Sequence, residues 1–343
     1  MQLLCDTSDF AGRPSAATIG FFDGVHRGHR YLIEQVREVA AARGLAASVI
    51  TFPVHPHKVM QPDFRPELLT TCDEKVSLLA QTEIDYCIMI DFSPKVARLS
   101  ARQFMSILKE SYRVQVLVIG YDHRFGHNRS EGFDDYVRYG QELGIEVLLA
   151  RAYSYKKRAV DKHKATALEN AVAEKANVVE GTDAENTAVA AERTVSSSVI
   201  RQLLLGGNVA AAAEYLGYDF FLNGTVVGGY RVGRTIGFPT ANLRVNDPDK
   251  IIPADGVYAV RVFVAGVEYG GMLSIGYRPT LSNGSDRSIE VHIFHFNADI
   301  YDQPMRLSFV RYMRPEQKFD TVDELIARIR QDETEVKTVL ACS

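Results

Sequence analysis

Residues 20–29 read Gly20-Phe21-Phe22-Asp23-Gly24-Val25-His26-Arg27-Gly28-His29. The short apolar run 17–22 leads into this stretch. A helical period follows over 31–42, with Leu32, Val36, Val39 and Ala40 on one face. The same alternation continues to residue 150: apolar, partly β-branched runs at 47–52, 86–90, 114–119 and 145–149, separated by amphipathic stretches near 74–82, 101–112 and 133–143. Strands and helices alternating at this length predict a doubly wound α/β fold, a parallel sheet covered on both faces with ligands at the carboxyl ends of its strands. The quoted stretch therefore sits at such an end, between the first strand and the first helix. A helix start presents unpaired N–H groups and the positive end of the helix dipole, which suits a phosphate. Gly24 and Gly28 let the backbone approach closely, and His26 and His29 can donate hydrogen bonds to phosphoryl oxygens as charge builds on an attacked α-phosphate. Two other readings stay open at this point: a glycine-rich surface turn with solvated histidines, and a metal pair. The metal reading lacks a third ligand at zinc-like spacing and the Glu of an HExxH motif.

A chain of 343 residues exceeds what one core usually supports and predicts two domains. Hydrophobic residues at 46%, charged residues at 24% and a mean hydropathy of -0.10 exclude whole-chain disorder and collagen-like structure. No apolar run approaches the length of a membrane span, and residues 1–12 have no secretory-signal pattern, so a soluble protein with no membrane partner is expected. Cys5, Cys72, Cys87 and Cys342 are scattered without CxxC spacing, which argues against a disulfide framework or zinc site and for the reducing cytoplasm. The net charge of -4 and pI near 6.2 argue against nucleic acid as a partner while leaving room for a local phosphate pocket.

Residues 156–193 contain ten alanines, many charges and no aromatic residue, and read as a mobile insertion, with a weak helical pattern near 165–178. Residues 195–201, Val195-Ser196-Ser197-Ser198-Val199-Ile200-Arg201, place three hydroxyls before a helix and a guanidinium in its first turns, suited to capping and to gripping a triphosphate. Gly206-Gly207 then reads as a hinge. The expected division is a domain at 1–193, a helical segment and hinge at 194–217, and a second domain at 218–343.

After residue 218 the pattern turns to β. Strand-like runs at 224–229, 256–264, 269–275, 289–296 and 305–309, separated by Gly, Pro, Asn and Asp turns, suggest a small barrel or sandwich. A final helix is expected after Thr321, whose spacing to Glu324 fits a capping box; Val322, Leu325, Ile326 and Ile329 form the stripe expected to dock on the barrel. Within this half, Gly233-Arg234-Thr235-Ile236-Gly237-Phe238-Pro239-Thr240-Ala241-Asn242 carries the sharper chemistry. If the chain is extended after Pro239, Thr240 and Asn242 face one side, two oxygens suited to Mg²⁺ when ATP supplies the negative charge. The run 288–296 puts Glu290 on a strand face with Phe294 and Phe296, partly desolvated and suited to accepting a proton.

Taken in order, GFFDGVHRGH, TFPVHPHKV (51–59), GYDHRFG (120–126) and VSSSVIR closely resemble the FMN adenylyltransferase module of bacterial bifunctional riboflavin kinase/FAD synthetases. The resemblance implies that His26, His29, Ser196, Ser197 and Arg201 meet ATP, with Gly20, Phe22, Asp23, Gly24 and Gly28 around them. On the same ground His55, Asp122 and Arg124 fall on the flavin side. Phe21 stands where Asn is common, and Ser198 replaces the usual Thr. Residues 224–340 are similar to the riboflavin kinase module in the PTAN segment 239–242, in 253–258 and 274–280, in the Glu290 strand and in 314–319. That likeness implies a small antiparallel barrel in which Thr240 and Asn242 hold magnesium and ATP. It also implies Gly233, Arg234, Gly237 and Pro239 on the ATP side, Glu290 as the base for the ribityl 5′-hydroxyl, and Arg314 as a flavin contact. The expected function is phosphorylation of riboflavin to FMN and adenylylation of FMN to FAD, with ATP as co-substrate, by a monomer or weak homo-oligomer. The rival readings are a nucleotidyltransferase for another acceptor and a non-catalytic flavin or nucleotide sensor.

Overall fold

The computed structural model describes residues 1–5, 12–61, 63–120, 123–127, 131–153, 195–229, 232–277 and 287–342. The expected insertion at 156–193 and Asp122 lie outside the described residues.

The N-terminal half is a six-stranded parallel sheet in the order β1-β4-β3-β2-β5-β6. Its strands are β1 (Gln2–Leu4), β2 (Ser15–Ile19), β3 (Ala46–Thr51), β4 (Tyr86–Met89), β5 (Val114–Ile119) and β6 (Glu146–Leu149). Every residue of β2 and β3 is buried because helices cover both faces, and only the small hydroxyl residues Ser15, Thr18, Ser48 and Thr51 interrupt their apolar sequence. On one face α1 (Arg27–Arg43) and α3 (Cys72–Ala80) bury Ile33, Val36, Leu78 and Leu79; on the other α5 (Ala101–Tyr112) and α6 (Phe133–Leu143) bury Phe104, Met105, Leu108 and Tyr136. Two short helices, α2 (Pro56–Met60) and α4 (Pro94–Ala97), lie in the connections. The strand order reverses between β2 and β5. The crevice outside their carboxyl ends is where such sheets bind ligands, and the loops after these two strands carry residues 20–29 and 120–127.

The second half is a closed antiparallel barrel, β10-β11-β8-β7-β12-β9. It is built from β7 (Phe221–Val227), β8 (Ala241–Val245), β9 (Gly256–Val264), β10 (Val267–Tyr277), β11 (Arg287–Ile293) and β12 (Pro304–Arg314). Ala265 and Gly266, both with positive φ, form the two-residue turn between β9 and β10, a geometry whose twist matches the flanking strands. Alternate residues such as Val260, Val262, Leu273, Val291 and Leu307 fill the interior. The helices α7 (Ser197–Leu205) and α8 (Val209–Leu216) belong to the same core through Ile200, Leu204, Ala212 and Leu216. Gly206-Gly207 is the corner between them, with Gly207 against the Tyr312 ring. A single-turn α9 (Val232–Thr235) precedes β8, and α10 (Val322–Ala341) ends the chain.

Thr321 caps α10, accepting the Glu324 N–H at 3.2 Å, but the Glu324 carboxylate accepts the Asp320 N–H rather than that of Thr321, so the expected capping box is only half formed. The docked face differs from expectation. Val322 is 60% exposed, while Val336 packs on Ala259 and Phe294. Asp332 is buried under Arg314, so an ion pair and the C-terminal half of the helix, beyond the expected stripe, anchor it. Leu325 and Ile329 instead stand over a cavity on the barrel's outer face.

Candidate active site

The loop after β2 turns sharply: Phe22 (φ 55), Gly24 (φ 80) and Val25 (φ 37) all lie in the left-handed region. A β-branched residue adopts that conformation only when its surroundings impose it. The imposing contacts are direct. Asp23 accepts from the backbone N–H groups of Leu69 and Thr70, each at 3.1 Å, Gly24 N donates to Thr70 Oγ1 at 3.0 Å, and Tyr218 OH donates to Gly24 O at 2.6 Å.

This turn delivers His26 to the N-cap of α1, where Nδ1 accepts the His29 N–H at 3.3 Å. A neutral His26 therefore carries its proton on Nε2. Its ring stacks on that of His29 with centroids 3.6 Å apart. Burial pushes His26 from 6.5 down to about 4 and holds His29 well below its usual value, so both rings are neutral at pH 7.

His29, but not His26, lines a cavity of about 470 Å³ at the reversal of strand order. Of the other residues expected there, Gly20, Phe22, Asp23, His55, Arg124 and Ser197 line it together with Arg201. Gly24, Gly28 and Ser196 lie behind it: Ser196 caps α7 by accepting the Val199 N–H at 3.4 Å, and Gly28 packs beneath the His26 ring. Arg201 donates to Asp23 Oδ2 at 2.5 Å and to Glu67 O at 2.9 Å, so its guanidinium is fixed at the cavity wall. His55 caps α2 through Nδ1 and meets the Phe21 ring edge-on at 4.7 Å, so Phe21 supplies packing at a position where an amide is common.

Sequence reasoning missed two residues here. Lys75 is buried, donates to Phe21 O at 3.2 Å and Phe52 O at 2.6 Å, and sits 4.1 Å from the Phe21 ring centroid; burial lowers it to about 8. It ties together the chain segments leaving β2 and β3. His123 lines the cavity and adds to the field on His29. Its place in the loop after β5 was the available signal; for Lys75, a lysine within an amphipathic helix, there was none.

On the barrel, Asn242 and Glu290 are direct partners across β8 and β11, so their side chains share a face with Thr240. Thr240 Oγ1 donates to Glu290 Oε2 at 3.2 Å. The residue the sequence did not single out is His292, whose Nδ1 lies 2.8 Å from Pro239 O and ties the Pro-Thr-Ala-Asn segment to β11. β11 ends at Ile293 and His295 has φ 56, so Phe294 turns under α10 and Phe296 leaves the strand. The expected aromatic companions of Glu290 are thus replaced by His292 and Phe238, whose rings meet at 5.6 Å. Gly233 is required by close approach, since a Cβ there would lie 2.2 Å from Phe238 O. Thr240 borders two cavities. One, of about 360 Å³, runs under α10 and includes Gly233, Glu290 and His292; the other, of about 390 Å³, includes Arg234, Pro239 and Asn297. Arg314 lines the first, but its Nε and Nη2 donate to Asp332 at 2.6–3.0 Å and its Nη1 to Pro315 O, so its charge fastens α10.

The FAD synthetase family matches residues 10–164 and the riboflavin kinase family residues 216–340. The bifunctional riboflavin kinase/FMN adenylyltransferase of Listeria monocytogenes is 32% identical over 337 residues, covering 98% of this chain and 95% of that one. That of Escherichia coli K12 is 34% identical, covering 92% and 90%, and that of Bacillus subtilis 168 is 32% identical, covering 94% and 91%. The chain belongs to the bifunctional riboflavin kinase/FMN adenylyltransferase family. A crystal structure described as a macrolide-efflux protein from Streptococcus pneumoniae superposes with a TM-score of 0.79 at 28% identity, over 98% of each chain. Among the described residues no helix is long and apolar enough to cross a membrane.

The helix α7, with Ser197 and Arg201, falls between the two family matches, yet it lines the cavity of the α/β half while packing in the barrel core.

Proposed function

We propose that the chain makes FAD from riboflavin in two ATP-dependent steps at two separate sites. The observation that carries this reading is the Thr240–Glu290 contact where two barrel cavities meet, in the same chain as a third cavity, in the α/β half, walled by His29 and Arg201.

In the barrel, Glu290 accepts the proton of the ribityl 5′-hydroxyl as that oxygen attacks the γ-phosphorus of ATP; the bond to the β-phosphate oxygen breaks, giving FMN and ADP. Riboflavin occupies the cavity under α10 and ATP the one beside Arg234, with Thr240 at their junction. The hydroxyl of Thr240 and the amide oxygen of Asn242 are hard oxygen donors that fit Mg²⁺ arriving with ATP, a metal that keeps waters and phosphate oxygens in its shell. Among the described residues no cluster of three or more His, Cys, Asp or Glu forms a metal cage of its own. When bound, the ion neutralises phosphate charge. Gly233 and Gly237 let the backbone close on the phosphates.

In the α/β half, a phosphate oxygen of FMN attacks the α-phosphorus of a second ATP and pyrophosphate leaves. Arg201 and the neutral His29 stabilise charge on the phosphoryl oxygens, with Ser197 and the start of α1 adding donors. His26 acts through His29, which it supports from below. His55 and Arg124 face the flavin side.

The test is a time course with purified protein, riboflavin, ATP and Mg²⁺, with the flavins separated chromatographically. FMN is expected first and FAD after it. Formation of neither flavin nucleotide contradicts the reading.

A further inference from the structure

The loop between β8 and β9 reaches out of the barrel and lies along the segment that leads into α3. Leu68 N donates to Asp249 O at 2.6 Å and Ile251 N to Leu68 O at 2.9 Å, a short parallel bridge between the two halves of the chain. At its centre Lys250 turns inward. Its side chain is 1% exposed, its ammonium donates to Leu69 O at 2.7 Å and Glu74 Oε2 at 2.6 Å, and it lies 4.7 Å from the Phe220 ring centroid. Glu74 is the capping-box acid of α3: Oε2 also accepts the Thr71 N–H at 2.9 Å, while Oε1 accepts from Asn223 of β7 at 2.8 Å. A buried ion pair is a poor source of stability, because an apolar pair of similar volume often does as well or better. What Lys250 holds points to a different use.

Leu69 is gripped from both sides. Its carbonyl accepts from Lys250, and its N–H donates to Asp23, the carboxylate that also receives Thr70 N and Arg201. One peptide segment thus separates the barrel's lysine from the residue that fixes the guanidinium in the other half's cavity. We propose that Lys250 is a positioning residue for adenylyl transfer: a barrel side chain that, through Leu69 and Asp23, sets the place of Arg201. The inference rests on the adenylyltransferase reading of that cavity. It means that the adenylyl-transfer site is completed by the riboflavin kinase half.

The test uses the full chain carrying Lys250→Met together with Glu74→Gln, which leaves no unpaired charge buried and keeps an amide oxygen for Thr71. FMN adenylylation is expected to fall by about ten- to a hundredfold in kcat/KM, the scale of a catalytic group displaced by about an ångström. Riboflavin phosphorylation by the same protein is expected to stay within about twofold of wild type, since neither residue touches that site. In an Arg201→Ala background the same pair should lower adenylylation by less than about threefold more, because the group through which it acts is gone. Unchanged adenylylation, a parallel fall in both activities, or an undiminished loss in the Arg201→Ala background overturns the proposal. If the wild-type chain forms FMN yet never converts supplied FMN to FAD, the adenylyltransferase reading fails first and the inference falls with it.

Discussion

His26 Nδ1 accepts the His29 N–H at 3.3 Å while the two rings stack at 3.6 Å, so one histidine is the platform on which the other stands. A motif with two equivalent histidines thereby resolves into two unequal jobs. His26 is 4% exposed and caps the helix, whereas His29 faces the cavity.

Burial of a neutral His26 links stability to pH. Its value falls from 6.5 in the unfolded chain to about 4 in the fold, so between these values the unfolded state binds the proton and the folded state refuses it. The stabilisation is complete above pH 6.5 and is lost as the pH falls toward 4, by up to about 3 kcal/mol. Urea unfolding at pH 7.5 and 5 should show this loss in the wild type and a smaller one in His26→Asn, whose amide keeps a cap. Equal pH dependence in the two proteins contradicts the assignment.

Glu290→Gln removes the proton acceptor but keeps an oxygen for Thr240. Riboflavin phosphorylation should fall by about 10²- to 10⁴-fold, the usual contribution of a general base, while supplied FMN is still adenylylated at the wild-type rate. A normal rate on riboflavin would show that another group takes the proton.

Arg314 and Arg328 both pair with Asp332, whose side chain is 1% exposed. Arg314→Met leaves that carboxylate with one partner, and the expected loss of stability is about 3 kcal/mol, read by denaturant unfolding. Because Leu325 and Ile329 stand over the cavity, the KM for riboflavin should rise as well, with FMN adenylylation unaffected. A stability change below about 0.5 kcal/mol would mean that apolar contacts alone dock the helix.

The α/β half was legible because burial on both faces leaves β2 and β3 free of charge and apolar but for small hydroxyl residues, a pattern that needs no knowledge of partners. The three-residue β1 was not, being too short to show a period. The barrel declared itself through turns and alternation, but β8 mixes Asn242 and Arg244 with apolar neighbours and is a strand only because β7 and β11 flank it. The terminal helix shows the limit most sharply. Hydropathy selects Val322, which is exposed, over Asp332, which Arg314 of β12 and Arg328 one turn back on the helix allow to be buried. Lys75 and Lys250 escaped notice for the same reason, since a lysine is read as solvated until its carbonyl and carboxylate partners are in view.

That one chain holds two chemically independent sites is a claim the His29→Ala protein can decide, through the flavins it forms from riboflavin, ATP and Mg²⁺. FMN is expected to accumulate at the wild-type rate, with FAD formation reduced by at least about a hundredfold. FAD appearing at the wild-type rate, or FMN formation collapsing together with it, would contradict the claim.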